Sequence, residues 1–252
     1  MKGIKKYIDL ADIHFPLNIK LDSIFKFIHQ FKPHIVNILG DFWDLDIISK
    51  YSDALLKFKG FNYVRDKLLE EAEDLGRILE LFNPENMPFI EERNFLKGNH
   101  EVRIEAFKIR YPQFTSKFTL DEFLFLNDRG WNVIEQGKYV KTGKLYHLHG
   151  DNLGTQNYAK QGAINCHKNM VVAHHHSNQS YMTYSPLDSK EIIQVQAIGC
   201  LCDKNPDYLR NKPNRWINSF ASGYIFPNGN YQNHVTNIFD GIFIAPNGRV
   251  YT

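Results

Sequence analysis

Cysteine is scarce in this chain: Cys166, Cys200 and Cys202 are the only three among 252 residues. So odd and sparse a set cannot form a disulfide framework, and a reducing compartment is the simplest reading. Long apolar runs are missing too, and none approaches the roughly 20 residues that cross a bilayer. The first residues are basic and then apolar, but Asp9 and Asp12 interrupt the run, so it fails as the apolar core of a secretory signal. These absences lead us to expect a cytoplasmic protein with no membrane partner. Net charge is slight, +2 with neutral histidines, which neither demands nor forbids a nucleic-acid partner. No internal repeat and no linker is visible, so residues 1–252 are expected to form one domain.

What is present is apolar and aromatic bulk. Hydrophobic residues make up 43% and aromatics 14%, enough to fill a packed core. Residues 5–13 read as a mostly buried strand. Leu21, Ile24, Phe25, Ile28 and Phe31 recur at helical spacing, which predicts a helix over 20–31, ended by Pro33. Residues 34–39 form a second apolar strand. Strand, helix and strand in this order predict a parallel pair with a right-handed crossover. A second helical stripe covers 61–82, with an acidic outer face. A short strand over 94–97 and helices over 101–110 and 120–126 follow. After Trp131 the texture changes to short strands at 133–134, 138–140, 144–148, 170–173 and 192–198, and a closing hairpin over 238–251. The expected class is α/β.

The chemistry-bearing side chains fall at strand ends. Asp12 and His14 follow the first strand, Asp41 and Asp44 the second, Asn99 and His100 the third. His149 follows a fourth strand, and His174 and His176 a fifth. Ligands of open α/β sheets gather beyond the carboxyl ends of strands, so these groups are expected to meet on one rim. Asp12 and His14 are two residues apart, as are His174 and His176, so each pair points one way in extended chain and His175 faces away. The donors are hard oxygen and imidazole nitrogen, with no thiolate. That mixture favours Mn²⁺, Fe or Zn over a cysteine-based structural zinc site, and leaves Mg²⁺ open.

The series Asp12-x-His14, Gly40-Asp41-x-x-Asp44, Gly98-Asn99-His100-Glu101, His149-Gly150 and His174-x-His176 resembles the calcineurin-like metallophosphoesterases. The five motifs stand in the family's order. One departure is Ala173, where the family usually has glycine before the first histidine of the last motif. The resemblance implies two central mixed β-sheets packed as a sandwich and flanked by helices. It implies two divalent ions, Mn²⁺ foremost, with Fe, Zn or Mg as alternatives. One would be held by Asp12, His14, Asp41 and His176, the other by Asp41, Asn99, His149 and His174, with Asp41 bridging. It further implies phosphate-ester hydrolysis by a metal-bridged hydroxide, His100 protonating the leaving oxygen and Asp44 orienting His100.

Blander roles stand beside these. Asp44 also suits a helix N-cap, and Glu101 a first-turn acid answering the helix dipole. His147 and His175 read as bystanders, and Cys200-x-Cys202 as buried thiols. Arg103 either holds a phosphate oxygen or pairs with Glu101 or Glu105. As to substrate, Gly40-Asp41-Phe42-Trp43-Asp44 lacks the Arg-Gly of the Ser/Thr protein phosphatases and looks like the form found among nucleases and phosphodiesterases. Residues 203–216 interleave Lys204, Arg210, Lys212 and Arg215 with Tyr208 and Trp216, either a base-stacking, phosphate-contacting segment or a solvated loop. The expected function is a dinuclear phosphodiesterase acting on a nucleic acid or nucleotide. The alternatives are a phosphomonoesterase acting on a nucleotide or protein, and a non-catalytic scaffold. The chain is also similar in style to members carried by bacteriophages, which would place it in a host cytoplasm.

Overall fold

Strands β1 (Lys5–Leu10) and β2 (Ile35–Leu39) are buried over most or all of their length, as parallel strands covered on both faces must be. The computed structural model describes residues 3–112, 118–184, 192–210 and 212–252. Helix α1 (Asp22–Phe31) makes the crossover between β1 and β2, followed by α2 (Asp53–Lys59) and α3 (Phe61–Glu80). Next come β3 (Glu92–Leu96), α4 (Arg103–Arg110), α5 (Leu120–Leu124) and β4 (Asn132–Ile134). The second half holds β5 (Val140–Thr142), β6 (Leu145–Leu148), α6 (Tyr158–Cys166), β7 (Asn169–Val172), β8 (Gln179–Tyr184) and β9 (Ile192–Ala197). It closes with β10 (Ser219–Ile225), β11 (Tyr231–Asn237), β12 (Phe243–Ile244) and β13 (Val250–Tyr251).

Two mixed sheets result. One has the order β11-β10-β1-β2-β3-β4, with β1 to β4 parallel and β10 antiparallel to β1. The other runs β5-β6-β7-β9-β8, with β6, β7 and β9 parallel. The period of two along each strand decides what lies between the sheets. Tyr7, Ile35, Leu39 and Leu96 from the first sheet pack with Leu145 and Val171 from the second. The alternate residues, Ile8, Val36 and Ile38, face the other way, into a core with Ile24 and Ile28 of α1 and Leu68 and Leu75 of α3. Tyr158, Ala159 and Ala163 of α6 cover the second sheet over Met170, Val172 and Val195. This is the sandwich of two mixed sheets flanked by helices that the motifs led us to expect. Among the described residues, no helix is long and apolar enough to cross a membrane.

A polar ladder crosses the first sheet, buried at Asp9, Asn37 and Asn94 and reaching the surface at Asn132. Asp9, Asn37, Asn94 and Asn132 are register neighbours across β1 to β4. Asn37 donates to Asp9 at 2.7 Å, Asn94 to Asn37 at 2.8 Å and Asn132 to Asn94 at 3.2 Å. His147 of β6 lies 2.9 Å from Asp9 through Nδ1, so it belongs to this layer and not to the strand-end rim.

Candidate metal centre

Each parallel strand hands its chain to a loop at the same end of the sandwich. Asp12 and His14 follow β1, Asp41 and Asp44 follow β2, and Asn99 and His100 follow β3. His149 follows β6, and His174 and His176 follow β7. Main-chain bonds lace the loops: Asp12 N donates to Gly40 O at 3.1 Å, His14 N to Asp41 O at 2.9 Å, and Ala173 N to His149 O at 2.9 Å. Asp12, His14, Asp41, His174 and His176 all have positive φ, between 49° and 73°, a region that residues other than glycine rarely adopt. Such strain persists where the surroundings over-determine it, commonly at functional sites.

The hydrogen bonds fix which atoms face inward. His149 Nδ1 lies 2.7 Å from the Leu39 carbonyl, which can only accept, so Nδ1 carries the proton. In the neutral ring Nε2 then presents a lone pair to Asn99 Oδ1 at 3.1 Å, His174 Nδ1 at 3.2 Å and Asp41 Oδ2 at 3.3 Å. His14 repeats the pattern. Its Nδ1 donates to Asp44 Oδ1 at 2.9 Å, leaving Nε2 aimed at His176 Nε2 at 3.2 Å, Asp41 Oδ2 at 3.8 Å and Asp12 Oδ1 at 4.0 Å. His176 Nδ1 is buried without a hydrogen-bond partner, and the buried Asp12 Oδ1 meets only imidazole nitrogens, His176 Nε2 at 3.3 Å and His14 Nε2 at 4.0 Å. Two clusters of converging lone pairs, sharing one oxygen of Asp41, are electrostatically untenable without positive charge between them.

The ionisation equilibria point the same way. Burial alone would raise the Asp41 carboxyl, but His149, His100 and His14 hold it well below the usual carboxylate range. Asp12 is likewise lowered against its burial, chiefly by His176. Burial pulls His149 down, yet Asp41 beside it raises it to about 10. Protons thus gather where cations would otherwise compensate three buried carboxylates. The donor set is oxygen plus imidazole, so divalent ions of the Mn²⁺, Fe and Zn type fit.

His100 stands beside the clusters. Its Nδ1 lies 2.7 Å from the Asp44 main-chain oxygen and 3.2 Å from Asp44 Oδ1, while Nε2 faces Asp41 Oδ2 at 3.9 Å. Asp44 therefore contacts both His14 and His100, and does not cap the short helical turn at Asp46–Ile48. Its carboxyl, despite burial, is held far below its ordinary range by these two imidazoles. Arg103 donates from Nη1 to Asp44 O at 2.8 Å and places Nη2 3.0 Å from His100 Nε2. Of the two readings of Arg103, the pairing with Glu101 or Glu105 is not made; Glu105 pairs with Lys108, and the carboxylate near Arg103 is Asp46, at 3.8 Å from Nη1.

Glu101 overturns its sequence reading. It is buried and accepts four main-chain N–H groups, from Asp41 at 3.0 Å, Phe42 at 2.8 Å, Trp43 at 3.1 Å and Gly98 at 2.7 Å. It thereby pins the loop that carries Asp41, and helix α4 starts after it, at Arg103. Only its place directly after Asn99-His100 hinted at this. His175 stacks on Tyr158 with ring centroids 4.0 Å apart, away from the clusters.

Two features border the site. Trp216 meets the His176 ring edge-on at 4.2 Å. Beside Asp44 lies a cavity of about 450 Å³ lined by Leu17, Ile47 and Tyr208 together with Asp46, Glu71 and Asp207.

No family model matches the chain, and no curated protein does. Solved structures do. The chain is similar to Vps29 from Entamoeba histolytica complexed with Zn²⁺, at 10% identity and TM-score 0.46, over 94% of this chain and 95% of that one. Vps29 from Chaetomium thermophilum matches at 10% identity and TM-score 0.44, over 98% and 94%. An uncharacterized protein from Streptococcus pneumoniae TIGR4, described as a predicted phosphoesterase, matches at 12% identity and TM-score 0.38, over 100% and 95%.

Proposed function

We propose that this chain is a dinuclear metal-dependent phosphoesterase of the calcineurin-like kind, cleaving phosphodiester bonds in a nucleotide or nucleic acid. The observation that carries the reading is the pair of lone-pair clusters that share Asp41 Oδ2. Asp12, His14, Asp41 and His176 would hold one ion, and Asp41, Asn99, His149 and His174 the other. The ions would supply Lewis acidity to the phosphoryl oxygens and an attacking water of lowered pKa.

The chain's own residues supply the rest. His14 and His149 hold a proton on the outward nitrogen, bonded to Asp44 and the Leu39 carbonyl, so that an ion replacing the inward proton would meet Nε2. His100 presents Nε2 to the site while its Nδ1 is tied to Asp44. Burial lowers its pKa, but Asp44 and Asp41 outweigh that and raise it, which favours a proton at the atom that would meet the leaving oxygen. Arg103 now lies against that atom at 3.0 Å. Engaging a phosphoryl oxygen would draw the guanidinium off His100 and free Nε2 for proton transfer.

The ligand set is complete, which favours an enzyme over a scaffold. Trp216 beside His176 offers an aromatic face for a base. The carboxylates of the neighbouring cavity repel a second phosphate there, which favours a nucleotide-sized substrate over a long polyanion. Purified protein with Mn²⁺ is expected to hydrolyse bis-p-nitrophenyl phosphate faster than p-nitrophenyl phosphate, and to stop when the metal is chelated. An inert metal-loaded protein would sink the reading, and a faster monoester would replace the diesterase by a monoesterase.

A further inference from the structure

Cys202 lies where no thiol was expected. Its Sγ and one ring nitrogen each of His14 and His176 all lie within 4.8 Å of one another, and all three residues are buried. The placement is built by the main chain. Leu201 N donates to Ala11 O at 3.1 Å and to Asp12 O at 3.0 Å, binding this segment to the loop that carries Asp12 and His14. Asn218 Nδ2 donates to Cys202 O at 2.7 Å and Cys200 O at 3.2 Å, fixing the turn from the other side. In the same cluster His176 Nδ1 is buried with no hydrogen-bond partner, and Asp12 Oδ1, on a fully buried residue, meets only His176 Nε2 at 3.3 Å and His14 Nε2 at 4.0 Å. Sulfur and nitrogen bound to one zinc-sized ion sit about 2.3 and 2.0–2.1 Å from it, so three atoms already within 4.8 Å of one another surround a space where one ion could meet all of them. Cys200 differs: its Sγ contacts the main-chain oxygens of Cys202 at 3.9 Å and Ile217 at 3.8 Å, Asn218 Nδ2 at 3.7 Å and the Cys202 thiol, and it does not stand in a ligand group with His14 and His176 as Cys202 does.

We propose that Cys202 is an additional ligand of the ion held by Asp12, His14 and His176, giving one half of the centre a sulfur donor. The inference rests on the dinuclear reading above. Ligation replaces the S–H bond by a sulfur–metal bond and releases the thiol proton to solvent. A thiolate selects softer ions, so this half prefers Zn²⁺, Fe²⁺ or Co²⁺, while the other half, with oxygen and imidazole alone, stays open to Mn²⁺. The mixed preference departs from the Mn²⁺ expected for both.

Cobalt tests it without any turnover. The full chain loaded with Co²⁺ is expected to show the near-ultraviolet sulfur-to-cobalt charge-transfer band together with visible d–d bands. Cys202→Ser is expected to abolish the first and keep the second, while Cys200→Ser keeps both. Zn²⁺ affinity of Cys202→Ser should fall by about 10–100-fold, with Mn²⁺ affinity nearly unchanged. Visible bands without a charge-transfer band in the wild-type protein overturn the sulfur ligand and leave the metal centre standing. A band that survives in Cys202→Ser does the same. Absence of any cobalt spectrum overturns the metal centre and the inference with it. The wild-type spectrum decides even where a variant fails to fold.

Discussion

Two side chains, His100 and Glu101, carry much of the chemistry argued above. Removing the imidazole in His100→Ala takes away no member of either proposed ligand set, though Nε2 faces Asp41 Oδ2 at 3.9 Å, so metal content should stay near the wild-type level. Turnover should fall by roughly 10²–10⁴-fold on esters with poor leaving groups. It should fall far less on a p-nitrophenyl ester, whose departing oxygen needs no proton. Equal losses on both would remove the proton-donor role. Glu101 makes a different prediction. In Glu101→Gln one carboxylate oxygen becomes an NH₂ group facing two main-chain N–H donors, either those of Phe42 and Trp43 or those of Asp41 and Gly98. Each donor left unpaired costs about 1–3 kcal/mol. Thermal unfolding should shift down by several degrees, and the metal should bind more weakly because the Asp41 loop loosens. An unchanged melting temperature would show that the four bonds hold nothing in place.

Strand-end loops are the elements that matter, and glycine shapes them at one close approach. A Cβ on Gly98 would collide with the Asp41 carboxylate and lie 2.6 Å from its amide nitrogen. Gly98→Ala must push Asp41 aside, at about 1–3 kcal/mol for overpacking, and should lower metal affinity more than it lowers stability. Calorimetric metal titration beside thermal melting separates the two losses. The elements that carry these loops were legible in sequence because β1, β2 and β7 are short apolar runs and α1 and α3 carry clear helical stripes. Others were not. Strand β10, Ser-Phe-Ala-Ser-Gly-Tyr-Ile, lies inside the first sheet between β11 and β1, yet its glycine and serines hide it. Gly223 is required there because a Cβ would lie 2.6 Å from the Tyr7 hydroxyl. Strand β11, Tyr-Gln-Asn-His-Val-Thr-Asn, is an edge with few apolar residues. Helix α6, with two alanines and a glycine buried, has too weak a stripe to read.

At the scale of the whole molecule, two sheets and the layer between them bring together residues 164 positions apart, Asp12 and His176. The motif series foretold that convergence, since each motif follows a strand of the parallel set. It did not foretell Glu101 as the pin of the Asp41 loop, nor Cys202 beside His14 and His176, because both depend on how loops pack and not on spacing. The convergence has a thermodynamic cost that pH exposes. His149, raised in the folded protein to about 10 by Asp41 despite burial, has an unfolded value of about 6.5. Its contribution to the metal-free protein is therefore complete below about 6.5 and fades as pH rises toward about 10. Urea unfolding of metal-stripped protein should show stability declining across that window, and saturating Zn²⁺ should flatten the decline by taking the proton's place. A metal-free protein equally stable at both ends of the window would contradict the buried-carboxylate account.

The central claim is that two cations share Asp41. Anomalous diffraction from crystals grown with Mn²⁺ or Zn²⁺ tests it directly. The account predicts two peaks about 3.5–4 Å apart, one among Asp12, His14 and His176, the other among Asn99, His149 and His174, with the Asp41 carboxylate between them. A single peak, or none inside this cluster at full metal loading, would contradict it.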